Sequence, residues 1–196
     1  MRTRDESKEL AIRQKAIEMI VKKGFDGLSM QKLAKAANVS PATIYIYFKD
    51  RDDLIIQLWM TEMEKMSTAS VLGFDPSMSF EDGLRLQWMN RAKYCMENQQ
   101  SMHFIEQIRN SPYDAVCTKK MDKNFLTLMR NFVHNAIEKK ELTPLPVEVY
   151  WSIAFSPLYQ LVKFHMSGRG RNGEKFVLDE KIMNQTLQLV VKALKP

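Results

Sequence analysis

The chain has 196 residues, 45% apolar and 27% charged, with 7 glycines and 7 prolines, a balance that describes an ordinary globular protein and excludes disordered, collagen-like and low-complexity architectures. No apolar run approaches the ~18 residues of a membrane span, no signal-type stretch follows the opening MRTRDESKEL, and Cys95 and Cys117 alone make no disulfide framework, so the sequence reads as cytoplasmic. The net charge of +6 is concentrated at the start, where residues 1 to 49 carry 10 Lys and Arg against 5 Asp and Glu, which suits a polyanionic partner.

Helical periodicity recurs throughout and no period-2 run bounded by hairpin turns is present, so the expected fold class is all-α. Ile12, Ala16 and Ile20 line a first helix from about Asp5 to Lys23, closed by Gly24 as a left-handed cap. Ser29 caps a two-turn second helix with Leu33 and Ala34 on one face. Ser40 and Pro41 open a short third with Ile44 and Phe48 inward. Asp50 and Asp53 make a capping-box-like start for a longer fourth, to about Ser70. The stretch VLGFDPSMS, 71 to 79, is a loop.

Beyond it, Ser79 and Asp82 cap a helix carrying Leu84, Trp88, Ala92 and Cys95, and Ser101 opens a short one with Phe104, Ile105 and Ile108. Cys117, Met121, Phe125, Met129, Phe132 and Ala136 read as one long stripe. Two more helices are expected, from about Pro146 to Met166, kinked at Pro157, and from Asp179 to Lys195.

Residues 29–48 meet the packing needs of a helix-turn-helix: a small residue at the crossing, Ala34; a turn residue tolerant of positive φ, Asn38; and a branched apolar residue on the second helix, Ile44. The outward face of the third helix then presents Ala42, Thr43, Tyr45, Tyr47 and Lys49. Thr43 and Ala42 suit base edges, Tyr and Lys suit phosphates, and Ser29 and Ser40 sit at helix N-termini whose free N–H groups favour anions. The charge run Arg2 to Lys8 reads as a solvated end, with an arm of Arg2 and Arg4 reaching toward DNA as the alternative.

This stretch resembles the DNA-binding domain of the TetR family of transcriptional regulators. The family pattern of a first helix ending in Gly-aromatic, followed by T/S-x-x-x-I-A-x-x-A-G-V-S-x-G-T-L-Y-x-H-F-x-S-K-E-E-L, is met by Gly24-Phe25, Leu28-Ser29, Leu33-Ala34, Ala37-Asn38-Val39-Ser40, Ala42-Thr43-Ile44-Tyr45, Tyr47-Phe48 and Asp50 to Leu54. Asn38 and Ala42 replace Gly, Tyr47 replaces His and Arg51 replaces Lys. The resemblance implies that Thr43, Tyr45, Tyr47 and Arg51 contact DNA, and that the chain divides into a DNA-binding domain, 1–53, and a regulatory, ligand-binding and dimerisation domain, 54–196.

It further implies a homodimeric repressor, without catalysis or cofactor, released from a palindromic operator by a small apolar or aromatic effector. Candidate ligand-lining residues are Trp88, His103, Phe104, Gln107, Ile108, Phe125, Met129, Trp151, Phe155 and Tyr159. No Arg or Lys interrupts these stripes, so a strongly anionic ligand is not expected. The dimer stripe is read as Ala154, Leu158, Leu161 and His165 with Ile182, Thr186 and Val190. A second reading keeps the DNA-binding fold but places it under a protein partner with no small ligand. Gly168, Gly170 and Gly173 spell G-x-G-x-x-G, but the stretch follows a helix and not a strand, so it reads as a basic loop. His103, His134 and His165 fall on separate helices and suggest no metal site. Cys95 and Cys117 read as buried packing residues, not a redox pair.

Overall fold

The computed structural model describes residues 5–196; the arm read at Arg2 and Arg4 lies outside them. Among the described residues the fold is all-α, with one isolated β-bridge, Arg169 to Lys175. In chain order the helices are α1 (Glu6–Lys23), a 3-10 turn (Phe25–Gly27), α2 (Met30–Ala36), α3 (Pro41–Tyr47), α4 (Arg51–Ser70), α5 (Phe80–Glu97), α6 (Gln99–Arg109), α7 (Asp114–Thr118), α8 (Lys123–Glu138), α9 (Val147–Ala154), α10 (Ser156–Ser167) and α11 (Glu180–Leu194).

Local chemistry sets most of these limits. Asp5 caps α1 by accepting from the Ser7 and Lys8 N–H groups. These bonds, that of Ser7 foremost, hold its carboxyl down at about 2. Gly24 ends α1 with φ 67° and ψ −178°, so φ is positive as expected but the conformation is not left-handed helical. At the start of α4 the Asp53 N–H donates to Asp50 Oδ1 at 2.8 Å while the Asp53 carboxylate accepts from the Lys49 N–H at 2.9 Å, a reciprocal cap.

Two elements differ from the sequence reading. The stripe from Cys117 to Ala136 is not one helix: α7 ends at Thr118, and Asp122 caps a new helix by accepting from the Asn124 N–H. The stretch from Pro146 to Met166 is broken and not merely kinked. Phe155 (φ −126°) separates α9 from α10, and Pro157 falls in the first turn of α10, where its missing N–H has no helical partner to lose.

The chain forms two compact units, one comprising residues up to Lys65 with Gln99–Met121, the other Met66–Asn98 with Asp122–Pro196. In the first, Ile12, Ile20, Leu33, Ile44, Leu54 and Phe104 are fully buried in one core. This unit is larger than 1–53, because α6 and α7 supply Phe104, Ile108 and Cys117 to that core. In the second unit α5 is buried on much of its circumference, and the Trp88 indole N–H donates to the Ala154 carbonyl at 2.7 Å.

Candidate nucleic-acid interface

Residues 29–48 fold as the spacing predicts. Ala34 and Ile44 are buried, and Asn38 turns the chain at φ 53°. The Val39 N–H returns to the Ala34 carbonyl at 3.0 Å, satisfying an end group of α2. Ser29 Oγ accepts from the Lys32 N–H and Ser40 Oγ from the Thr43 N–H, each at 3.2 Å, so both serines act as caps. The open face of α3 consists of Pro41, Ala42 and Tyr45, the last 54% exposed, with Ser40 and Lys49 at its ends. Gln31, Lys32, Lys35 and Ala36 are exposed on α2.

Two residues placed on the outward face, Thr43 and Tyr47, and Arg51, a DNA contact by resemblance, are used inside the unit instead. Thr43 is only 8% exposed, its hydroxyl 2.9 Å from Ser40 Oγ. Tyr47 is 7% exposed: its phenol accepts from the Asp5 N–H at 2.8 Å and donates to the Asp5 carbonyl at 2.9 Å. A seven-residue helix packed through Ile44 and Phe48 turns positions 43 and 47 toward the core as well, because each adjoins a buried residue. Arg51 Nη2 donates to the Phe25 carbonyl at 2.5 Å and Nε to the Leu28 carbonyl at 3.1 Å. Its Nη1 donates to Tyr113 Oη at 3.3 Å. Tyr113 in turn donates to Asp52 Oδ1 at 2.6 Å, and desolvation together with that bond pushes the phenol up to about 12. Arg51 thus ties the turn between α1 and α2 to α4 and to Tyr113. Sequence reasoning missed this clamp, since two of its acceptors are backbone carbonyls and the third, Tyr113 Oη, lies 62 residues along the chain.

The candidate ligand residues fall into both units. Phe104 and Ile108 are core residues of the first. His103 and Gln107 border a shallow, solvent-open depression there with Phe25, Glu106 and Asn110, and Gln107 donates to the Val21 carbonyl. Trp88, Phe125, Met129, Trp151, Phe155 and Tyr159 belong to the second unit. Of these, Trp151, Phe155 and Tyr159 gather around a cation the sequence reading missed, Arg91 of α5. Its guanidinium carbon lies 4.6 Å from the Phe155 ring centroid and 5.5 Å from that of Trp151, and its Nη1 donates to Tyr159 Oη at 2.9 Å. The expectation that these stripes hold no Arg or Lys is therefore corrected. Arg91 lies three residues past Trp88 and four before Cys95, on the buried side of a helix packed on more than one face.

Of the dimer stripe, Ala154, Leu158 and Val190 are buried within the chain itself, so they are not available to a partner. The reason is again packing: α9, α10 and α11 close on one another and on α5, taking up the inner members of each stripe. Leu161, His165, Ile182 and Thr186 stay partly exposed, and His165 Nδ1 accepts from the Leu178 N–H at 3.1 Å. Leu189, absent from the sequence reading, is 64% exposed on α11.

A buried crossing of two short helices, a positive-φ turn and an open, uncapped face of small and phosphate-reaching side chains define a helix-turn-helix protein. Residues 12–58 match the family of bacterial regulatory proteins named for TetR, so this stretch is similar to the DNA-binding part of that family. An HTH-type transcriptional regulator of Haemophilus influenzae is 32% identical over 100 residues, covering 50% of this chain and 54% of the relative; the chain thus spans about half the length of that relative. A TetR-family protein of Vibrio parahaemolyticus superimposes with a TM-score of 0.79 at 22% identity, covering 96% of this chain and 99% of that one. A TetR-family regulator of Haemophilus influenzae does so with 0.79 at 23%, covering 98% and 100%. At these identities the likeness is one of fold.

Proposed function

We propose that the protein is a DNA-binding transcriptional regulator that acts as a homodimer on a palindromic operator, as a repressor released by a small, mainly apolar effector. The observation that carries the reading is the buried Ala34–Asn38–Ile44 crossing beneath an open α3 face. On that face Ala42 and Tyr45 meet base edges and the T-methyl group, while Lys49, with Lys32 and Lys35 of α2, meets phosphates. Thr43, Tyr47 and Arg51 act by holding the face in place. Two copies are needed because one short helix reads only a few base pairs, and half-sites then lie ~34 Å or a multiple apart. Leu161, Ile182, Thr186 and Leu189 offer the partly exposed apolar surface for pairing on α10 and α11.

The effector is assigned to the second unit, among Trp151, Phe155 and Tyr159. It releases DNA only to the extent that it binds the DNA-incompetent state more tightly, and a 100-fold difference corresponds to ~2.7 kcal/mol. Selection of bound fragments from genomic DNA, followed by gel shift on the recovered site, tests the reading. A palindromic site is expected, bound by a dimer and weakened by Tyr45→Ala in a sequence-dependent way. Binding that shows no sequence preference, or a monomer on DNA, overturns it.

A further inference from the structure

Arg91 is 2% exposed, yet two of its three guanidinium nitrogens, Nε and Nη2, have no hydrogen-bond partner. Only Nη1 is used, by Tyr159 Oη, and no carboxylate of the described residues pairs with the side chain. One turn earlier on α5, Gln87 is 0% exposed, and neither its amide nitrogen nor its amide oxygen has a partner. An unpaired buried guanidinium and an unsatisfied buried amide each work against folding, so two of them one turn apart on one helix face need a compensating group.

The unused donors say what that group is. Nε–H and the adjacent Nη2–H form one edge of the planar guanidinium, with two parallel donors spaced to meet the two oxygens of a carboxylate. The Phe155 and Trp151 rings, whose centroids are 4.7 Å apart, lie together on one side of the guanidinium and favour the cation, while its Nε and Nη2 edge stays unused. Gln87, four residues earlier on the same face, adds an amide N–H for one carboxylate oxygen. The rings beside them offer apolar surface to whatever the carboxylate is attached to.

We propose that Arg91 and Gln87 are the anchor for a carboxylate, and that the effector is a monocarboxylate with an apolar body held against Trp151, Phe155 and Tyr159. This rests on the effector-controlled reading given above and names the chemical class of its ligand. It replaces the expectation of a ligand without anionic character, while keeping the apolar body.

The test uses the full chain and defined probes: benzoate and hexanoate, their primary amides, acetate and inorganic phosphate, each followed by thermal shift and by titration calorimetry at millimolar concentration. Benzoate or hexanoate raises Tm, and its amide binds at least tenfold more weakly; acetate and phosphate, lacking the apolar body, do the same. Arg91→Met binds the acid at least tenfold more weakly and, having lost an unpaired buried charge, is no less stable than the parent without ligand. Should Arg91→Met fail to fold, Arg91→Lys decides: it keeps the charge but loses the parallel edge, so acid binding falls at least tenfold. Equal binding of acid and amide, equal stabilisation by acetate or phosphate, no response to either acid, or unchanged acid binding in the variant that folds overturns the proposal. The two readings fail separately. If an amide releases operator DNA and the acids do not bind, the carboxylate anchor is wrong and effector control stands. If the acids bind through Arg91 while DNA affinity is unchanged, the anchor stands and effector control is wrong.

Discussion

The phenol of Tyr47 clasps the backbone of Asp5 at both of its polar groups, accepting from the N–H at 2.8 Å and donating to the carbonyl at 2.9 Å across 42 residues of chain. The last turn of α3 is thereby fixed to Asp5, the cap of α1. Tyr47→Phe removes both bonds and leaves the ring in place. The expected outcome is a loss of about 1 kcal/mol in stability, read as a Tm several degrees lower, with DNA affinity falling by less than tenfold once the protein is folded. A hundredfold loss of affinity at unchanged Tm would return Tyr47 to direct DNA contact.

Arg51 and Lys49 separate positioning from contact. Arg51→Ala deletes the donors to the Phe25 and Leu28 carbonyls and to Tyr113, so it lowers Tm and weakens DNA binding together. Lys49→Ala, on an exposed residue, leaves Tm unchanged and reduces the log-log salt slope of binding by about 0.9, the share of one phosphate. Denaturation curves and salt titrations of both variants check the split, and an Arg51→Ala variant with unchanged Tm would show that its clamp contributes nothing.

Gly83 lies against Phe132, whose ring is held between Phe80, stacked at 6.0 Å, and Phe74, edge-on at 5.0 Å. A Cβ at position 83 meets the Phe132 ring directly, and a ring wedged on two sides cannot turn aside. Gly83→Ala is expected to cost about 1 to 3 kcal/mol by overpacking, measured by denaturant unfolding, whereas Gly73→Ala meets no atom and tests only the positive φ of its turn.

Both thiols are buried, and desolvation pushes Cys95 and Cys117 up from the ordinary value of 9.0 to about 11. The folded-state value is raised, so the stability each protonated thiol contributes is fully present below pH 9 and is lost as pH rises through about 11. A thiol reagent at pH 8 is expected to label neither residue in the native protein and both in denaturant. Rapid native labelling would mean that one of them opens to solvent.

The helices that surround the recognition motif were legible because their signals are local. Asp5, Ser29, Ser40 and Asp50 each bond to the backbone within a few residues, and Ala34, Asn38 and Ile44 act through fixed spacings along the chain. The clamp of Arg51, the clasp of Tyr47 and the burial of Arg91 were not, since each depends on partners 23 to 68 residues away. Arg91 reads as a solvent-facing charge until one knows that α5 is packed on more than one side. The split between α7 and α8 was missed for a related reason: the i, i+4 rhythm carries on across Lys119–Asp122, and only Asp122, an N-cap whose role periodicity cannot see, marks the new start.

The peptide passes from one unit to the other three times, after Lys65, after Asn98 and after Met121. Anyone wishing to join the first unit to the remainder of a relative would therefore find no single seam. A graft cut after position 53 or 65 leaves behind Phe104, Ile108 and Cys117 and hands the new host a core with its lid missing. A working hybrid has to carry residues 99–121 along as a second insert, with junctions on both sides, and the same rule makes an insertion within that segment a matter for DNA reading even though it sits far along the sequence from the recognition helix.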